Sequence, residues 1–113
     1  MKITQSAVLN SSLAAEVQKL GAAVARLRIA RGMKQDQAAL RAGVSRNTAY
    51  RLEKGDPGIA VGQILRYLDA IAPGKTLLEL FTETDPALAA LGAKEKRRRA
   101  RELSQRELDE IDF

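Results

Sequence analysis

Residues 34–55 read KQDQAALRAGVSRNTAYRLEKG. Their apolar spacing describes two short helices joined by a tight turn. The first spans about Gln35–Ala42, with Ala38, Ala39 and either Leu40 or Ala42 turned inward. The second starts after Ser45 and runs to about Lys54, with Ala49 and Leu52 on its inner side. Gly43 sits where the chain reverses, and glycine accepts the positive φ needed there. The Ser45 hydroxyl can accept from the free amides of the helix that follows. Arg46, Asn47, Thr48 and Arg51 fall on faces that need not be buried.

Two short helices around such a turn form the layout of a helix-turn-helix, whose second helix enters the DNA major groove. A reading helix must be held firmly while its exposed side chains reach base edges. Arg46 and Asn47 stand at the end that would enter the groove, and Arg51 lies about one turn further along. Arginine suits guanine O6 and N7, and asparagine suits adenine N6 and N7. Gln35 and Ser45 each stand at a helix N-terminus, where free amides attract a phosphate. Thr48 either contributes to the backbone contact or only bonds within its helix. Tyr50 either touches sugar-phosphate or lies on the surface.

Composition narrows the alternatives. The chain has 113 residues, so one domain is the default. Aromatics make up only 4%, which leaves Leu, Ile, Val and Ala to build the core and favours packed helices over a sheet. The net charge of +5 suits a polyanionic partner. With no Cys and no His, Cys/His metal sites, Cys–His nucleophiles and His acid–base catalysis are excluded. The remaining carboxylates are scattered, so an enzyme is not expected, nor any cofactor. No apolar run is long enough to cross a membrane, and the first residues lack the apolar stretch of a signal peptide, so a cytoplasmic protein is expected.

Outward from the central stretch, residues 1–10 show no period and read as an arm. Ser11 or Ser12 can cap a helix whose apolar face is Val17, Leu20, Val24 and Leu27, with Gly32 as its stop. Gly55, Pro57 and Gly58 form a turn. A fourth helix, about Val61–Ala72, carries Val61, Ile64, Leu65, Leu68 and Ile71 as its stripe. Thr76 through Glu79 read as a capping box for a short fifth helix that buries Leu77, Leu80 and Phe81. The domain is expected over residues 11–84, and residues 85–113 form a charged tail. In the tail, Asp85-Pro86 can open a short helix, KEKRRRAR at 94–101 is basic, and the end is acidic. Ser104 through Glu107 read as a second capping box, stapled by Leu103 and Leu108. So polar a tail is expected to be mobile until a partner orders it.

The central segment resembles the lambda-repressor-like, or Xre, helix-turn-helix family. The resemblance rests on Gln35, Ala39, Gly43-Val44-Ser45, Arg46, Thr48, Arg51, Glu53 and Gly55, with Leu27-Arg28 and Arg31-Gly32 upstream. It covers about residues 17–82 and implies an all-α, five-helix DNA-binding domain. The family's function would be sequence-specific binding, usually by a homodimer on an inverted-repeat operator. Carried over by position, Arg46, Asn47 and Arg51 would read bases. Gln35, Lys34, Ser45, Thr48, Tyr50 and Lys54 would touch the DNA backbone. Arg28 and Glu53 resemble a salt-linked pair joining the first and third helices. This chain departs from the family at Lys34, where Ser or Thr is usual, at Ala49, where a larger Ile or Val is usual, and at Tyr50, where a small polar residue is usual. Leu77, Leu78 and Phe81 are candidates for dimer contacts.

The Gly58–Leu68 stretch, the Arg-rich segment and the terminal Asp112-Phe113 also resemble HipB-like antitoxins. That resemblance implies a repressor of its own operon that neutralises a HipA-type kinase toxin. The alternatives are a free-standing Xre or phage-type regulator without a toxin, and an interaction module for another anionic partner.

Overall fold

A computed structural model describes residues 3–82 and 86–111, with side chains up to residue 106. The described residues form seven helices and no strand: α1 (Gln5–Val8), α2 (Ser11–Ala30), α3 (Gln35–Ala42), α4 (Arg46–Glu53), α5 (Val61–Ile71), α6 (Leu77–Phe81) and α7 (Pro86–Ile111). The fold is all-α, and α2 to α6 are the five helices expected from the sequence. The expected arm contains one helical turn, α1, with no buried residue.

Small residues let the central helices approach closely. The most extensive packing joins α3 to α5 and to α4. The inner face of α3 is Ala38, Ala39 and Ala42, and Ala49 of α4 is completely buried. Where α2 crosses the end of α4, Gly21 meets backbone. A Cβ built on Gly21 would lie 2.5 Å from the Leu52 carbonyl oxygen and 2.8 Å from the Gly55 nitrogen. A Cβ on Gly55 would likewise strike the backbone of Gln18 and Val17.

A buried polar cluster crosses the same region. Arg28 of α2 grips Glu53 of α4 through two bonds, Nε to Oε2 at 2.7 Å and Nη2 to Oε1 at 2.9 Å. Its Nη1 donates to the Met33 carbonyl at 2.9 Å. From α5, the Tyr67 hydroxyl donates to Glu53 Oε2 at 2.5 Å. Tyr67 is the largest fully buried side chain described. The bond to Glu53 holds the Arg28 guanidinium above its usual range, although burial opposes this. Burial, reinforced by the Glu53 carboxylate, pushes the Tyr67 phenol well above the ordinary tyrosine range.

Several local expectations are corrected. The cap of α2 is Asn10, whose Oδ1 accepts from Leu13 N–H at 2.8 Å, and not Ser11 or Ser12. On α3, Ala42 is inward and Leu40 is exposed. On α5, Val61 and Leu65 are exposed; Tyr67, Leu68 and Ile71 make the buried face. Five apolar positions on an 11-residue helix cover more than the close α3 alanines can bury. On α6, Leu80 is buried and Phe81 is 57% exposed, because a helix of five residues buries one side only.

The tail departs most. From Pro86 the chain forms one helix of 26 residues, with Ser104 inside it and not at a new cap. The expected cap Asp85, the staple's Leu108 side chain and the terminal Asp112-Phe113 lie outside the described residues. Gly92 is the only glycine and no proline follows Pro86, so nothing breaks the helix. Glu95 stands four residues before Arg99, and Glu102 four before Arg106, the favourable order for supporting pairs. The base of α7 packs on α2: Leu88 is 6% exposed in the same core cluster, and Arg26 Nη1 meets Glu95 Oε1 at 2.6 Å. The core thus continues past residue 84.

Two predictions follow from the packing. Gly21→Ala drives a methyl group into backbone that has no rotamer to change, and should cost about 2–3 kcal/mol in urea unfolding. Gly62→Ala, with open space around it, should cost nothing. Tyr67→Phe leaves the Arg28–Glu53 pair in place, and should cost about 0.5–1.5 kcal/mol at neutral pH. Because folding raises the Tyr67 pKa, its contribution is complete below the unfolded value near ~10 and is lost as pH rises above it. The alkaline fall in stability should therefore be shallower in Tyr67→Phe, as read by unfolding at stepped pH.

Candidate nucleic-acid interface

The turn between α3 and α4 is closed by backbone bonds that glycine permits. Gly43 has φ 71°, in the left-handed region. Its N–H donates to the Leu40 carbonyl at 3.2 Å, and Val44 N–H donates to the Ala39 carbonyl at 3.0 Å. These are the two bonds of a Schellman ending, which satisfies carbonyls left over at the helix terminus. Val44, half-buried, packs against the core and fixes the exit direction of the chain.

Ser45 then starts α4. Its Oγ accepts from Thr48 N–H at 3.0 Å, and its hydroxyl donates to Thr48 Oγ1 at 2.9 Å. The Ser45 and Thr48 side chains are thus committed to each other at the helix start. Arg46 and Asn47, the first two residues of α4, are exposed. Beneath them Ala49 and Leu52 are buried, so α4 is anchored along one side and open along the other.

Lys34 precedes α3 and is exposed. Its side chain does not cap the helix; Gln37 Oε1 accepts from the Lys34 N–H at 3.0 Å and takes over that task. Gln35, at the first position of α3, is half-buried. Tyr50 of α4 and Lys54, the residue that caps its end, are exposed together. The Lys54 ammonium stands 5.5 Å from the Tyr50 ring centroid, within range of a cation–π attraction.

Arg51 is less free than its position in the sequence implies. Its Nε donates to Asp56 Oδ2 at 2.7 Å, while Asp56 Oδ1 accepts from Gly58 N–H at 2.8 Å. The Arg51 guanidinium and the Gly58 amide hold the Asp56 carboxyl below the usual carboxylate range. Asp56 was not anticipated as part of the site. Its only signal in the sequence is an acidic residue five places after Arg51, at the start of a Pro-Gly turn. A shallow surface depression places Ile3 to Ser6 beside Arg51, Asp56 and Gly58, so the arm borders this edge of α4.

Lys34 and Gln35 thus stand at the N-terminal end of α3, and Ser45, Arg46 and Asn47 at that of α4. Tyr50 and Arg51 lie further along α4, and Lys54 caps its end. Arg28 and Glu53 lie behind it, in the interior.

A model of the family described as Helix-turn-helix domain matches residues 19–81. No curated protein and no solved structure matches the chain significantly. The match spans α3, the Gly43 turn and α4, together with α5, α6 and most of α2. With more than half of its residues in that match, the chain belongs to the helix-turn-helix domain family, a family of DNA-binding regulators.

Proposed function

We propose that the chain is a sequence-specific repressor that binds a near-palindromic operator as a homodimer, with α4 in the major groove. The observation that carries this reading is the mounting of α4. Its inner face is buried, its start is locked by Ser45 and Thr48, and Arg46 and Asn47 project from that start into solvent. Arg46 and Asn47 read base edges. Gln35, Lys34, Ser45, Thr48, Tyr50 and Lys54 contact phosphate and sugar.

Arg51 reads a base through its terminal amino groups, its Nε being held by Asp56. On this reading Asp56 is a buttress. It fixes the guanidinium before DNA arrives, so less side-chain freedom is lost on binding.

A narrower form of the proposal is an antitoxin that represses its own operon and restrains a HipA-type kinase. It is supported by the resemblance at Gly58–Leu68. Coexpression with a kinase encoded beside it tests this: growth should recover only when both are made. A free-standing regulator would have no such neighbour.

Footprinting on the DNA flanking the coding sequence should give a protected inverted repeat with half-sites about one turn, roughly 34 Å, apart. Arg46→Ala should cost about 1–3 kcal/mol on that operator and relax preference at one base pair. Gln35→Ala should instead weaken every sequence alike in anisotropy titrations. Asp56→Asn should weaken operator binding by about 0.5–1 kcal/mol, the scale of a partly exposed ion pair. Tighter binding by that variant would show that Asp56 restrains Arg51 and does not present it.

A further inference from the structure

The first half of α7 carries a cationic surface that neither the core nor the proposed contacts of α3 and α4 use. Residues 94–101 hold six cations and one acid, Glu95. That acid is drawn away from the block, because its Oε1 meets Arg26 Nη1 of α2 at 2.6 Å. Among the described residues, none of Lys94, Lys96, Arg97, Arg98, Arg99 and Arg101 makes a salt bridge, and all six are exposed. Leu88, buried, and Gly92 and Glu95, both half-buried beside Arg26, mark the side of α7 that faces α2. With 3.6 residues per turn, Lys94, Arg97, Arg98 and Arg101 fall within about 100° of one another on the side turned away from it. Like charges three and four residues apart destabilise a helix. A partner that neutralises them removes that cost.

We propose that this face of α7 is a second contact with duplex DNA, made to the phosphate backbone without regard to sequence. Its four cations span about 10 Å of helix, a length over which one DNA strand advances about three phosphates. Three of the four are arginines, whose planar fork grips phosphate oxygens in pairs. Residues 94–102 include no apolar side chain larger than alanine, so a protein partner finds no anchor and a lipid surface no apolar face. They include no aromatic ring on which the bases of a single strand could stack. Glu102 and the acids after it in the sequence lessen attraction from a distance. A phosphate in contact with an arginine is held well inside the Debye length of about 8 Å, where screening is weak. This contact takes its partner from the DNA-binding reading above, but its test needs neither α4 nor an operator.

Anisotropy titrations of the full chain on a random-sequence duplex, at stepped salt, measure the contact. Lys94→Gln with Arg98→Gln should lower the slope of log affinity against log salt by about 2, near 0.9 for each phosphate released. Binding at low salt should weaken roughly tenfold or more. Lys96→Gln with Arg99→Gln removes the same two residue types from the side nearer α2 and should leave the slope nearly unchanged. Glutamine is close to lysine and arginine in helical propensity, so circular dichroism should not change in either variant. Equal effects of the two pairs would mean that net charge alone acts, and would overturn the proposal, as would no effect of either. Competition by poly-L-glutamate as strong as that by duplex of equal charge would assign the face to an acidic protein and overturn it as well. On operator DNA the first pair should leave the ratio of operator to random affinity unchanged, whereas Arg46→Ala lowers it. Absence of any sequence preference, with the slope difference between the pairs intact, would uphold this contact and remove only the base reading by α4.

Discussion

The placement of α4 depends on one carboxylate, Glu53. It ends α4, yet it accepts from Arg28 of α2 and Tyr67 of α5, so three helices converge on two oxygen atoms. Removing such a group from water is costly unless its partners are complete. Here they are: among the described residues no buried side-chain nitrogen or oxygen lacks a hydrogen bond. The arrangement contributes less through net stability than through what it forbids. A helix of eight residues has little stability of its own and takes its orientation from its neighbours. If α4 rotated or slid, Glu53 would lose its donors while remaining buried. The cluster therefore fixes the rotation of α4, and with it the direction in which Arg46 and Asn47 face.

Small residues set the depth to which the same helix is seated. Gly21 lets α2 touch the backbone of α4, and Ala49 lets α4 settle against the core with no side chain standing between them. A tightly seated α4 suits base recognition, which tolerates little positional error. Flexibility is left to the exposed side chains, and Asp56 removes part of it at Arg51.

How much of this the sequence revealed depends on the range of each interaction. The turn was legible because its determinants are contiguous: Gly43 for the left-handed residue, Val44 for the apolar anchor, Ser45 for the cap. The inner positions Ala38, Ala39, Ala49 and Leu52 followed from spacing. Gly21 carries no such signal, since nothing near it in sequence shows that a backbone 31 or more residues later touches it. Tyr67 sits among apolar residues whose periodicity admits several faces, and only the approach of α3 selects the face that includes it. Arg51 reads as a free cation until the chain folds back at Asp56. The tail misled for a different reason. Its polarity gives it no core of its own, yet Leu88 joins the core of the domain, and a helix forms because residues of high helical propensity run unbroken from Pro86.

Charge along the chain bears on how DNA would be attracted. Residues 1–93 carry a net +4, residues 94–101 a net +5, and residues 102–113 a net −4. The visible excess at the Arg-rich run is thus nearly cancelled by the segment that follows it in the sequence. The remaining excess belongs to the rest of the chain, where Lys34, Arg46 and Lys54 of the helix-turn-helix body are exposed. Long-range attraction of a phosphate backbone would therefore depend on that body as much as on the most basic stretch of the sequence.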